Sequence, residues 1–539
     1  MKRIKFLAMM LIAISCMAFT ACSSDDDEEG SALSKFTISQ TSLSMTPGEN
    51  DTLTCTFYPE NVSNRNVAWS SSDESVATVA DGVITAVAPG SATITATPEG
   101  NPSQAQTCNV SVTMNQVKVS GKVEGTWNAY TTYVVEGQLE VEAGKSLTIE
   151  KGVQVIFNSN DGNGAGIEFT VHGNIYCNGT ADAPILFSIP EEARTFDNVL
   201  DCKNLWGGFM LNSSDPNAEA LFNYCEIEYT GSLMTANSPS VISGIYTENE
   251  DNGVQITTGP DFKGSLVVEN CSIRNGYADG IYMQGGKGII THNTFYCNGA
   301  TGGEAVNVKA GTSTTVAYNV MYSPNTNGLK LSSSGQDDTA GRGQAKCVAY
   351  NNTIINAGWR RDGSKGGCVY VEKNILANVF NNLMVNCKFR AMTPSWGNPG
   401  IKDGCDLNSV IDYNCYISGS VESPFAQDKE EGGVKTPYAG YNMAHENYYD
   451  AVDAHSVIAK AANDINIQFA GFDYNAVGLD NVTFDSAWNF AVTSMVDGAT
   501  DGNSLYTLSG MDFVNTGLTV GGKVYKAEAP QKFFGAYGK

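Results

Sequence analysis

One residue column recurs through the middle of this chain and limits what the chain can fold into. The segments Tyr224-Cys225-Glu226-Ile227, Asn270-Cys271-Ser272-Ile273, His292-Asn293-Thr294-Phe295, Tyr318-Asn319-Val320-Met321, Asn351-Asn352-Thr353-Ile354, Asn381-Asn382-Leu383-Met384 and Tyr413-Asn414-Cys415-Tyr416 align. They place Cys225, Cys271, Asn293, Asn319, Asn352, Asn382 and Asn414 in register, with spacings from Cys271 onward of 22, 26, 33, 30 and 32 residues. Each repeat carries a second apolar alternation, as in Gly280-Ile281-Tyr282-Met283, Ala305-Val306-Asn307-Val308, Gly328-Leu329-Lys330-Leu331 and Gly367-Cys368-Val369-Tyr370-Val371. Two or three short strands per turn describe one coil of a parallel β-solenoid, whose core is closed only by stacking the next coil. An amide at a recurring tight bend can bond the same amide one coil away, so the column needs no ligand to explain it. Cys225 and Cys271 read as small core residues in the same column.

Composition agrees with an all-β chain. Of the 539 residues, 42% are hydrophobic and 17% charged, with 56 Gly and 16 Pro, which argues against disorder and against a helical protein rich in Lys and Glu. The 32 basic and 57 acidic residues leave a net charge of −25, so nucleic acid is not an expected partner.

Residues 1–21 read as a signal peptide: a basic Met1–Lys5, an apolar run to Phe19, then small residues. The run is shorter than the roughly 20 residues that cross a bilayer. Phe19-Thr20-Ala21-Cys22 resembles a bacterial lipoprotein box, which implies lipidation at Cys22 and outer-membrane lipid as a partner of the N-terminus. Residues 22–34 carry five consecutive acids, Asp25 to Glu29, and read as a solvated linker similar to the acidic export signals of surface lipoproteins. The expected location is the outer membrane, lipid-anchored, at the cell surface.

Residues 35–114 alternate in short strands and predict a β-sandwich. The run Asn66-Val67-Ala68-Trp69-Ser70-Ser71-Ser72-Asp73-Glu74-Ser75-Val76-Ala77-Thr78-Val79, then Gly82-Val83-Ile84-Thr85-Ala86-Val87, closely resembles the group 2 bacterial immunoglobulin-like domain. Trp69 is expected as a core anchor, and Cys55 and Cys108 could form a disulfide in an oxidising compartment. Residues 115–539 resemble right-handed parallel β-helix proteins of the pectate-lyase-like superfamily. Capping first coils around Trp127–Tyr133 and Gly144–Val153, Trp206-Gly207-Gly208 and a closing Phe533-Phe534-Gly535 carry the likeness. The expected architecture is an immunoglobulin-like β-sandwich followed by a right-handed single-stranded parallel β-helix, with 448–530 assigned to the end of the helix.

That scaffold hosts lyases, hydrolases, adhesins and binders, so function must be read from side chains. The polygalacturonase pattern is absent: Asn325-Thr326-Asn327 has an amide where the acid should stand, and Gly-His-Gly and Arg-Ile-Lys are missing. Seven and eight residues after Asn352 and Asn382 come Trp359-Arg360 and Phe389-Arg390. With Arg361, Lys365, Lys388 and Trp396 they form a candidate glycan-binding strip, since guanidinium forks onto carboxylates and rings stack on sugar faces. The competing reading makes Trp359 and Phe389 inward rungs and pairs the arginines with neighbours such as Asp362. In a lyase, Lys388 or Arg390 would be the catalytic base. Calcium is the only cofactor suggested, through the acidic loops at Asp161, 248–251, Asp337-Asp338 and 403–406. The leading expectation is a surface protein that binds extracellular polysaccharide without turnover; the alternatives are a lyase of acidic glycans and a protein-binding adhesin.

Overall fold

The computed structural model describes residues 31–336, 341–363, 366–388, 392–394, 405–417, 419–421, 455–458, 467–494 and 496–538. They fall into two units divided between Thr113 and Met114. The signal peptide, Cys22 and the acidic run lie outside the described residues.

In the smaller unit, Ser42–Met45, Gln106–Val112, Gly90–Pro98 and Val67–Ser71 form one sheet in that order. A second sheet joins Asn50–Thr52, Val83–Ala86 and Ala77–Ala80, and Lys35–Ile38 pairs with Cys55–Tyr58. Alternation puts Ile84, Ile94, Val110 and Val112 in the core. Trp69 is half-buried and packs against both apolar clusters of the unit, as an anchor should. Cys55 and Cys108 are free thiols, which corrects the disulfide expectation: Cys108 sits in one cluster, Cys55 against the other.

The larger unit is a parallel β-helix. Its first sheet stacks ten strands, from Gly125–Trp127 to Val410–Ile411. The long strand Thr131–Val141 pairs through one half with Gln154–Phe157 and through the other with Glu168–Val171. From it diverge a second sheet, running through Ser272–Arg274, Thr294–Tyr296 and Val320–Tyr322, and a third, running through Ile281–Met283, Val306–Val308, Leu329–Ser332 and Val369–Glu372. Inward residues Ile273, Phe295, Met321, Ile354 and Met384 stack on their counterparts from coil to coil inside one continuous core. Each such side chain contributes about 1.5–3 kcal/mol on burial.

The asparagine column forms the sharp bend between first and second sheets. Asn319 Oδ1 accepts both the backbone N–H and the Nδ2–H of Asn293 at 3.0 Å. Asn352 serves Asn319 in the same way, Asn382 serves Asn352 and Asn414 serves Asn382. Remaining amide hydrogens go to backbone carbonyls, as from Asn319 to Ile290 and Ala317. The preceding residues His292, Tyr318, Asn351, Asn381 and Tyr413 all have φ between 50° and 57°, a left-handed conformation costing about 1–2 kcal/mol for a side chain such as Tyr. The buried ladder offsets that cost. Cys271 continues it, donating its N–H to Asn293 Oδ1 at 2.9 Å and accepting the Cys225 N–H on Sγ at 3.4 Å.

Within 448–530, assigned to the end of the helix, Val457–Ile458 does join the second sheet on Cys415–Ile417, but none of the described residues of 467–538 forms a strand of the three helix sheets, which corrects that part of the assignment. The C-terminal segment lies instead on outward faces. Phe469, Phe472 and Phe490 cover Tyr322, Ile355 and Val385 of the second sheet, while Tyr506, Met511 and Val520 cover Leu221, Val267 and Ile289 of the first. Outward-pointing apolar side chains on those strands dictate the arrangement, since without the cover a stripe of Leu, Val and Ile would face water.

Replacing Asn352 by Ala should lower stability by about 2–4 kcal/mol, because it strands buried donors and acceptors on two coils. Asn293→Cys, which repeats what stands at 271, should cost less than half as much. Urea midpoints of the two variants check both outcomes.

Candidate functional site

Among the described residues, the C-terminal cover packs on the first and second sheets, and the outward face of the third sheet stands apart from it. Strand alternation sends the flanking residues of each apolar triplet inward and the middle one outward. Register pairs Thr257 with Tyr282, Tyr282 with Asn307, Asn307 with Lys330 and Lys330 with Tyr370. The result is a row of Thr, Tyr, Asn, Lys and Tyr, one per coil, about 4.8 Å apart.

Chemistry gathers around this row. Asp279 Oδ1 accepts the backbone N–H groups of Gly303 and Glu304 at 3.0 and 2.9 Å, and its Oδ2 accepts Asn307 Nδ2 at 2.8 Å. Asp279 and Glu304 are both buried, and their carboxyls interact. Burial and the charge of Glu304 push Asp279 well above the usual carboxylate range. Burial opposes ionisation of Glu304 too, but the Asp279 hydrogen bond and the Lys330 charge hold it below that range. Asn307 is 4% exposed, and its enclosed Oδ1 has no hydrogen-bond partner among the described residues. Lys309 Nζ lies over the Tyr282 ring, 5.6 Å from its centre. Burial and then Lys330 lower its pKa, while burial raises that of Tyr282. Lys330 faces Glu372 at 3.9 Å.

An excursion of the chain, 234–252, walls one side of the row. Between it and the coils lies a cleft of about 260 Å³, lined by Tyr246, Asp251, Asp279, Tyr282, Gln284 and Thr301 among others. Its short helix Pro239–Ile242 is fastened to the coil below by Ser240, whose N–H and Oγ–H donate to Glu168 at 3.0 and 2.8 Å. Tyr246 reaches the strand face through a 2.5 Å hydrogen bond with Thr257 Oγ1. Neutral and ionic groups in such a cleft, several with displaced pKa values, mark a candidate site.

The expected strip is not assembled there. Arg360 is a structural tie: Nε donates to Ser323 Oγ, Nη1 to Gly299 O, and Nη2 to Asn298 O and Ser323 O, at 2.9–3.2 Å, with the guanidinium over Phe196. Trp359 Nε1 donates to Asn386 O at 2.7 Å. Lys388 is buried and donates to the carbonyl of Arg361, whose own N–H returns to Gly358. This corrects the reading of Trp359, Arg360 and Lys388 as a free binding strip or base, because loop re-entry turns their polar side-chain atoms onto backbone carbonyls; Arg361 is half-buried beside them. Lys365, Phe389, Arg390 and Trp396 lie outside the described residues. Beneath the loop, Cys368 and Cys387 form a disulfide with Cα atoms 6.3 Å apart. Among the described residues no group of three or more His, Cys, Asp or Glu has metal-holding geometry. Asp161 and Asp406 instead accept N–H groups of their own turns.

Comparisons with known proteins agree with this architecture. Residues 32–110 match the group 2 bacterial Ig-like domain, residues 119–288 the pectate-lyase-like beta helix domain, and residues 245–405 the right-handed beta helix region. The chain carries a bacterial Ig-like domain and a pectate-lyase-like right-handed β-helix. Curated relatives match over shorter stretches. An uncharacterised protein of Clostridium acetobutylicum is 36% identical over 89 residues, 16% of this chain and 9% of that protein. An alpha-L-arabinofuranosidase of Bifidobacterium longum is 46% identical over 69 residues, 13% of this chain and 6% of that enzyme. A second C. acetobutylicum protein is 42% identical over 66 residues, 12% of this chain and 17% of its own length. Matches this short have the length of one small domain and leave the chemistry of the pectate-lyase-like β-helix to its own side chains.

Burial pushes the Glu168 carboxyl up to about 7 from an ordinary 4.5, against the two Ser240 hydrogen bonds. A raised folded pKa means the proton is held more tightly in the native state. The stability it confers is therefore complete below pH 4.5 and lost as pH rises through about 7. Glu168→Gln should flatten the thermal midpoint between pH 4.5 and 7.5, and hydrogen-exchange protection across 234–252, relative to the intrinsic rate at each pH, should become independent of pH over that range in the same variant.

Proposed function

We propose that this protein is a lipid-anchored surface protein whose β-helix binds an extracellular polysaccharide along the third sheet, its Ig-like unit and acidic leader acting as the spacer. The observation that carries this reading is the row Tyr282, Asn307, Lys330 and Tyr370. A row with one ring, amide or ammonium per coil suits a chain of sugar units: rings stack on pyranose faces, and Lys330 takes a uronate carboxylate. The pectate-lyase-like family gives independent support for carbohydrate as the ligand class.

One observation favours turnover as a second reading. Lys309, with its lowered pKa, could remove the C5 proton of a bound uronate. The C5–H electrons would then form the C4–C5 double bond as the C4–O4 bond breaks, with the leaving oxygen protonated by the Tyr282 hydroxyl, which burial keeps protonated.

Retardation in gels loaded with uronate polysaccharides tests the first reading. Tyr282→Ala and Lys330→Ala should each weaken binding about tenfold, roughly 1.4 kcal/mol; unchanged mobility of the wild-type chain in every such gel would sink it. Absorbance near 235 nm, lost in Lys309→Ala, would establish the lyase.

A further inference from the structure

A larger groove lies on the second sheet, away from the row just described. It encloses about 1040 Å³. Its floor is the outward face of Cys225–Glu228, Ser272–Arg274 and Thr294–Tyr296, and one wall is the C-terminal segment at residues 482–491. Phe484 stacks on Tyr296 with ring centres 4.3 Å apart, and Trp488 stands edge-on to Phe484 at 5.4 Å.

The floor is charged but self-neutralised. Arg274 donates Nε to Glu228 at 2.6 Å, Nη2 to Glu226 at 2.8 Å and Nη1 to Ser272 Oγ at 3.3 Å, and its guanidinium lies over Tyr296. Glu228 also accepts Ser188 Oγ at 2.7 Å and faces Arg194 at 3.8 Å. Two carboxylates and two guanidiniums sum to zero. An ionic ligand would have to break one of these pairs in a half-buried site, which is costly. A ligand with hydroxyls and apolar ring faces would not, because the paired charges still offer lone pairs and N–H groups while the half-buried Phe484 and Trp488 offer ring surface.

We propose that this groove binds a short stretch of an uncharged saccharide chain, a second site distinct in ligand charge from the row on the third sheet. It is assembled in part by the C-terminal cover, so the cover has a binding role besides shielding the second sheet.

The test is affinity electrophoresis of the full chain through gels containing neutral polysaccharides such as galactomannan, arabinan or xylan, beside gels containing polygalacturonate. Two variants probe the groove: Phe484→Ala removes a ring, and Ser486→Trp fills the space from an exposed position without removing packing. Both should weaken retardation by a neutral glycan at least tenfold, with Ser486→Trp keeping the wild-type melting midpoint. Tyr282→Ala should leave neutral-glycan binding intact while weakening binding to polygalacturonate. The proposal is overturned if no neutral glycan retards the wild type, if Ser486→Trp binds normally, or if Tyr282→Ala abolishes neutral-glycan binding. Failure on polygalacturonate alone would count against the third-sheet site and leave this one standing.

Discussion

The hydrogen bond from each column amide to the next holds the β-helix in register. Asn293, Asn319, Asn352, Asn382 and Asn414 each satisfy a backbone N–H on the neighbouring coil, at a bend where the main chain has turned away from any sheet. Without that partner, a buried donor on every coil would be lost and the left-handed residue before it would have nothing to offset its strain. Because the column anchors each coil at one point, loop length elsewhere is free to vary. The spacings run from 22 to 33 residues without disturbing the stack.

That freedom decides where chemistry can sit. Two of the three outward faces carry apolar residues and are sealed by the C-terminal segment, in part or wholly. The third carries polar residues and is bordered by long loops, so ionisable groups there are shielded by neighbours yet reach a cleft. Asp279, Glu304, Lys309 and Lys330 come from coils adjacent in the stack, and their mutual charges shift one another. A chain with an overall charge of −25 can thereby hold two ammonium groups beside two carboxyls at a single strip.

Much of this was legible from residue order. The repeat located the bends, and the apolar triplets located the third sheet. The same triplets also held the row of Tyr282, Asn307, Lys330 and Tyr370: a residue between two inward neighbours must face out. Attention to arginine and tryptophan missed that signal. Trp359-Arg360 stands at the same offset from its column amide as Phe389-Arg390, yet in the fold Arg360 ties three loop carbonyls together. Regular spacing marks a structural duty as readily as a binding one.

By itself, the sequence determined the all-β class, the two-unit order and the coil repeat, because alternation and a bend amide are local requirements that every coil must meet. Only the tertiary structure decided which outward face stays open, that residues 467–538 wrap the stack, that Cys368 pairs with Cys387, and that Asp279 meets Glu304. Those outcomes join residues separated by many positions or by whole coils, and they turn on surface left over after the core is filled. No local pattern encodes that remainder.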